Sequence, residues 1–376
     1  MTILEHTQTT TDWREVADEL VPMLAATADQ ADASGEFVAD QIELLRERRM
    51  MSMLVPTELG GGGASHAEAC DVLRVLAHGC PATSLTFAMH THLVAAQVWR
   101  HHRELPAPVL PKVAASELVL VSTGAKDWID SEGHAEQVDG GFRVNARKGP
   151  SSGAPSGDLL ISSVRWDDAP DGAQVLHFAV PFSAPGVSIE TTWNTVGMRG
   201  TGSETVVLTD VFVPEAAVSL ARPAGEWHPV WSVVLGAAMP LIMSTYVGVA
   251  ESAVERAMRV MRPGDERAAS ATAVARAHRS LRTAQDAVDA MVRHSEDLHF
   301  DNDLDTAVST LERKVVAADA CIDTVRLALE LGGAAYSSAP GLGRLMRDVL
   351  GASHHPLPAA AQEQFCGRVA LGLPPV

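Results

Sequence analysis

Cysteine is scarce. Cys70, Cys80, Cys321 and Cys366 are the whole complement in 376 residues, and none stands at a metal-ligand spacing from another. That excludes a disulfide framework or a zinc cluster as the organising device, and a reduced, cytoplasmic setting is expected. No apolar run reaches the roughly 18 residues that a bilayer span requires, so no membrane partner is expected. The start, Met1-Thr2-Ile3-Leu4-Glu5-His6, lacks the basic-then-apolar order of a secretory signal, and none is expected. Basic residues are few: 29 Lys and Arg stand against 47 Asp and Glu, a formal charge of -18. Such a surface repels phosphates, which argues against nucleic acid as a partner. It also repels anionic substrates unless local Arg or Lys residues reverse the field. The carboxylates around Asp286, Asp289, Glu296 and Asp297 have no metal-ligand spacing and read as a solvated face.

What is present is length and apolar content. Hydrophobic residues make up 46% of the chain, enough for two or three cores. Up to His102 the apolar residues recur at helical spacing: Val16, Leu20, Met23 and Leu24, then Phe37, Ile42, Leu44 and Leu45, then 67–76 and 84–98. Val55-Pro56 through Gly60-Gly61-Gly62-Gly63 breaks this series as a loop. From about Ala115 to Leu220, short apolar segments at 118–121, 142–145, 159–162, 175–180, 187–189 and 206–208 alternate with turn signals such as Asp139-Gly140-Gly141 and Pro185-Gly186. These read as strands of a β-barrel or sandwich. Beyond Trp227 the pattern is helical again, over 237–261, 268–298, 304–331 and 342–350. The predicted class is α+β: a helical domain over 1–114, a β domain over 115–222 and a helical bundle over 223–376.

Several passages together carry a family resemblance. They are Val55-Pro56 with Gly60-Gly61, the hairpin Asp139-Gly140-Gly141-Phe142-Arg143-Val144-Asn145, the stretch from Gly197-Met198-Arg199-Gly200-Thr201-Gly202 to Pro214, and Gly332-Gly333-Ala334-Ala335-Tyr336 followed by Arg347-Asp348. In order and interval they resemble the acyl-CoA dehydrogenase superfamily, over essentially the whole chain. The resemblance implies an N-terminal helical domain, a central β-barrel or sandwich and a C-terminal four-helix bundle. It implies a bound flavin, FAD by preference with FMN open, and a homotetramer or homodimer. It places Ser122, Thr123 and Gly124 at the flavin ring, with Ser151 and Ser152 beside it and Gly332 and Gly333 in the C-terminal motif. Hydroxyls and N–H groups there stabilise charge on a reduced ring. Arg199 is a candidate for a flavin phosphate or substrate anion; equally, it can pair with Asp210 or another carboxylate.

The chain departs from the family where the chemistry is chosen. Pro150 replaces an aromatic residue, and the Phe-Gly passage after the first bundle helix is missing. Dehydrogenases of the family use a Glu after the Arg-Asp pair, or one early in the first bundle helix. Here the first site reads Gly351-Ala352-Ser353-His354-His355-Pro356, the second falls on Ala238, and the first acidic residue downstream is Glu363. The His pair is similar to that of the two-component monooxygenase branch, which takes reduced flavin from a separate reductase and uses oxygen. His354 or His355 is then the expected proton donor or base, since an imidazole titrates near neutrality. A second His is expected from His90-Thr91-His92; residues two apart on a helix diverge, and His92 is preferred. The leading expectation is therefore monooxygenation of a small aromatic or biosynthetic molecule. Two alternatives stay open: an acyl-CoA or acyl-carrier dehydrogenase, and a non-catalytic member that binds an acyl carrier or partner.

Overall fold

A computed structural model describes residues 11–123, 127–261, 268–331 and 341–376. The N-terminal layer comprises α1 (Trp13–Ser34), α2 (Ala39–Glu47), α3 (His66–Gly79), α4 (Pro81–His101) and α5 (Leu110–Ser116). Asp12 caps α1 through the Glu15 N–H, and Ser65 with Glu68 forms a capping box on α3, which satisfies N–H groups left over at both starts. The α1 stripe that is buried is Ala17, Leu20, Leu24 and Ala28, whereas Met23 faces solvent. The glycine loop after Val55 is packed closely: a Cβ on Gly61 would meet the Val55 carbonyl oxygen at 2.2 Å.

The middle of the chain forms one eight-stranded hydrogen-bonded sheet. Its strands are β1 (Leu120–Ser122), β2 (His134–Val138), β3 (Gly141–Ser151), β4 (Leu159–Trp166), β5 (Gln174–Pro181), β6 (Val187–Glu190), β7 (Glu204–Pro214) and β8 (Val218–Pro223). The order is β6-β7-β3-β2-β4-β5-β8, with β1 parallel to β4 through Ser122 opposite Ile161. The predicted strands are all present within this one continuous sheet. β2 and β8 were not foreseen, because half-exposed polar strands such as His134-Ala135-Glu136-Gln137-Val138 carry no apolar alternation.

The C-terminal layer is built on three long helices, α6 (Val230–Val260), α7 (Ala268–His294) and α8 (Leu304–Glu330), followed by α9 (Leu342–Val349) and α10 (Ala359–Ala370). By length and composition α6 is apolar enough to cross a membrane, contrary to the reading that no such stretch exists. Yet 94% of its most apolar window is buried inside the protein, against α3, α4 and α8. Gly248 permits this closeness, since a Cβ there would sit 2.2 Å from the Arg74 carbonyl oxygen on α3. Glu251 on the same helix accepts from Arg74 Nε at 2.9 Å and from Gln285 Nε2 at 2.6 Å, tying α3, α6 and α7.

The three layers are locked at one point. The loop before β7 brings the Met198 N–H to Asp348 Oδ1 of α9 at 2.6 Å. Gly197 lies so close beneath α9 that a Cβ would meet the Arg347 carbonyl oxygen at 2.1 Å. Arg347 in turn pairs with Asp32 of α1, and Arg344 Nε reaches Asp29 at 2.9 Å. Burial pushes the Asp348 carboxyl up to about 6, opposed by the Met198 N–H and by Arg344. Asp348→Ala leaves a buried N–H without an acceptor. It is expected to cost about 1–3 kcal/mol in denaturant unfolding, and Asp348→Asn, which keeps an accepting oxygen, is expected to cost less.

Candidate active site

A cavity of about 730 Å³ lies where the layers meet. This volume falls in the range of sites that enclose small organic ligands. The sheet supplies one wall. Thr123 donates its backbone N–H to Ile161 O at 3.3 Å, and its hydroxyl lies 2.6 Å from Ser162 Oγ. Ser152 Oγ lies 2.8 Å from Ser203 Oγ, which continues to Thr201 Oγ1 at 2.7 Å. Ser122, Thr123 and Ser152 all line the cavity. Ser151 does not: its side chain is fully buried and donates to the Lys148 carbonyl at 3.3 Å. Gly124, Gly332 and Gly333 lie outside the described residues.

α4 and α6 form the apolar walls with Leu85, Met89, Met239 and Ile242. Both histidine regions reach this space. His92 lines it, and its Nδ1 is buried without a hydrogen-bond partner. His90 points elsewhere. Its Nε2 donates to Met51 O at 2.9 Å, because Nδ1 is occupied accepting the Leu120 N–H at 3.0 Å. His90 thus ties α4 to β1, the strand that carries Ser122 and leads into Thr123. Both His354 and His355 line the cavity; His354 is exposed, while His355 is half-buried beside Tyr246, with ring centroids 5.9 Å apart. Burial pushes the His355 pKa down to about 4, helped by nearby Lys314, His354 and His92. His92 is lowered to about 4 as well, first by burial. Near pH 7 both rings are therefore neutral.

No Asp or Glu lines the cavity among the described residues. Ala238 is in the wall, so the early-helix site for a catalytic Glu holds a methyl group. Glu363 is on an exposed part of α10. Arg199 also lies away from the cavity. Its guanidinium donates to Asp32 O at 2.7 Å and to Thr195 O at 3.2 Å, and Asp210 pairs with Arg143 instead. Among the described residues, Arg347 is the lining Arg or Lys.

Three lining residues had not been singled out in the sequence: Trp128, His177 and Trp231. The Trp128 and Trp231 rings lie 4.7 Å apart, and His177 lies 6.0 Å from Trp231. Arg222, fully buried, donates from Nε to His177 Nε2 at 3.0 Å, and from its other nitrogens to Ile129 O and Asp127 O, each at 2.9 Å. These residues come from the loop after β1, from β5, from β8 and from the first turn of α6. No local pattern links them, so only the folded sheet brings them together.

A sheet between two helical layers, with hydroxyls and a cavity at their junction, defines a flavoprotein architecture of the acyl-CoA dehydrogenase kind. Models of the acyl-CoA dehydrogenase N-terminal and middle domains match residues 5–117 and 123–211, and the chain belongs to the acyl-CoA dehydrogenase superfamily. It is 28% identical over 363 residues to isobutylamine N-hydroxylase of Streptomyces viridifaciens, covering 91% of this chain and 93% of that one. It is also 28% identical over 268 residues to dibenzothiophene monooxygenase of Rhodococcus qingshengii, covering 66% of this chain and 61% of that protein. The X-ray structure of KijD3 with FMN and dTDP-3-amino-2,3,6-trideoxy-4-keto-3-methyl-D-glucose matches at a TM-score of 0.85 with 26% identity, over 96% of this chain and 95% of that one.

Five histidines are held neutral by burial. The pKa values of His66, His90, His92 and His355 are lowered to about 4, and that of His177 to about 3. The unfolded chain takes up protons at these rings below about pH 6.5, whereas the folded chain does not until about pH 4. Their stabilising contribution is therefore complete above pH 7 and is lost as pH falls. Each ring costs about 1.4 kcal/mol per pH unit below 6.5. The raised Asp348 acts in the opposite sense between about 4 and 6, joined by Asp71, which burial also raises, as two groups against five. The urea midpoint is expected to fall steeply from pH 6.5 to 5 and to stay level between pH 7 and 8.

Proposed function

We propose that this protein is a flavin-dependent monooxygenase that uses FMN, delivered reduced by a separate reductase, and O2 to oxygenate a small molecule. The observation that carries this reading is the absence of a carboxylate at both expected positions in the cavity wall, one filled by a methyl group and the other by imidazoles. Removing an acidic α-proton from an acyl thioester needs a base at one of two places, and these hold Ala238 and the segment around His354 and His355. Relatives named as an N-hydroxylase and a monooxygenase support the same choice. FMN is favoured over FAD because KijD3 was solved with FMN. The four cysteines are free thiols, in keeping with a reducing cytoplasm.

The residues present fit a flavin. The isoalloxazine ring would lie against the hydroxyls of Ser122, Thr123 and Ser152, with Arg347 the lining cation toward its phosphate. When bound and reduced, the flavin supplies the two electrons that activate O2. The chain's own part is to position and to protect. Leu85, Met89 and Ile242 keep water from the reacting region. His355, neutral near pH 7, would accept the proton from a substrate N–H or O–H, and His92, whose ring lines the same cavity, would pack beside that group. Each ring serves while deprotonated, so activity is expected to be flat from pH 6 to 8 and to fall below about pH 5, as the pKa values near 4 require.

The test reconstitutes the protein with FMN, reduces it chemically, and supplies oxygen with candidate amines, indoles and sulfur heterocycles. Oxygenated product is expected. Anaerobic bleaching of oxidised flavin by an acyl thioester would sink the reading in favour of a dehydrogenase. His355→Ala is expected to lower turnover about 10²–10⁴-fold while FMN binding persists; unchanged turnover would remove His355 from the proposed role.

A further inference from the structure

The end of the cavity farthest from any motif in the sequence carries an unusual charge arrangement. Two cations are buried beneath the sheet wall. Lys148 is neutralised: its Nζ lies 2.9 Å from Asp127 Oδ2 and 2.7 Å from Ser131 Oγ, with both partners of the ion pair almost wholly buried. Arg222 makes no direct ion pair among the described residues, although the Asp127 and Asp130 carboxylates favour its charge; its partners are three backbone carbonyls, the face of the Trp231 ring at 5.4 Å and a single imidazole nitrogen. A guanidinium only donates, so His177 Nε2 must be a lone-pair acceptor. The proton of His177 is then fixed on Nδ1, and a second proton on the ring would face Arg222 at 3.0 Å.

The Nδ1–H of His177 has no protein partner among the described residues, and His177 lines the cavity. Trp128 and Trp231 provide flat apolar surface beside this donor. A donor left unmet at an apolar wall calls for an acceptor on the ligand, and a guanidinium with no direct carboxylate partner behind it favours that acceptor being negative. In a chain of charge -18, this supplies the local reversal of field that an anionic ligand requires.

We propose that His177, held as an Nδ1–H donor by Arg222, forms with Trp128 and Trp231 a subsite for a planar aromatic or conjugated ligand bearing an anionic oxygen such as a carboxylate or phenolate. The proposal rests on the functional reading only in taking this cavity as the substrate's. Binding is measured without turnover, so the two stand or fall separately.

The experiment compares benzoate with nitrobenzene, its uncharged near-isostere, by calorimetric titration of the full chain at low salt. Wild type is expected to favour benzoate by at least about tenfold, the value of one charge-assisted hydrogen bond. His177→Leu is expected to abolish that preference while FMN binding is unchanged. His177→Gln should restore part of it, since its amide oxygen accepts from Arg222 while its nitrogen donates. Equal or undetectable binding of the two probes by wild type, or a preference that survives in His177→Leu, overturns the proposal. If His177→Leu does not fold, 15N chemical shifts of the wild-type imidazoles at pH 7 decide the matter, with the signal absent from His177→Gln identifying the ring. A proton on Nδ1 alone supports the proposal, and one on Nε2 or on both nitrogens refutes it.

Discussion

One hydrogen bond stands where all three layers of the chain converge: the Met198 N–H to the buried carboxyl of Asp348. It fixes the loop that leaves the sheet against the short helix that follows the bundle. Arg347, next in sequence, carries the connection to Asp32 on the first helix, and Arg199 reaches the carbonyl of the same Asp32. These contacts seat the loop that borders the cavity, Gly197 and Met198, against α9, while α4 and α6 pack directly on each other. A carboxyl in so dry a place would be costly alone, and a backbone N–H facing it is what makes the position tenable.

This explains why two stretches far apart in sequence are both so distinctive. Gly197-Met198-Arg199-Gly200 has small residues where α9 presses on the loop, and Arg347-Asp348 is the other half of the same junction. Arg199 read as an anion-binding candidate because a lone arginine in an acidic chain invites that inference. Its actual partners are the Asp32 and Thr195 carbonyls and the Asn194 side-chain oxygen, which no sequence pattern advertises.

Much of the architecture was legible because its signals are local. Helical periodicity marked α1, α3, α4 and the long bundle helices, and turn residues separated six of the eight strands. β2 and β8 were silent, since their outward residues are polar and their inward ones few. At the cavity, the sequence brought forward His92, His354, His355 and the hydroxyls of Ser122, Thr123 and Ser152, all of which line it. It could not distinguish Ser151 from Ser152, because Ser151 ends β3 with its side chain buried and only the turn that follows brings Ser152 to the cavity. Trp128, His177, Arg222 and Trp231 were invisible for a different reason: their association is purely tertiary.

The long apolar α6 has a consequence for how the chain must be made. Its covers α3 and α4 leave the ribosome before it, and α8 after it. For the time needed to synthesise the intervening residues, one side of a helix as greasy as a membrane anchor has nothing to lie against. Exposed surface of that kind is what holding chaperones bind and what drives nascent chains to aggregate. The N-terminal helices thus act first as a shelter for α6 and only later as a wall of the cavity, and a chain cut short before α8 would keep the hazard without its remedy.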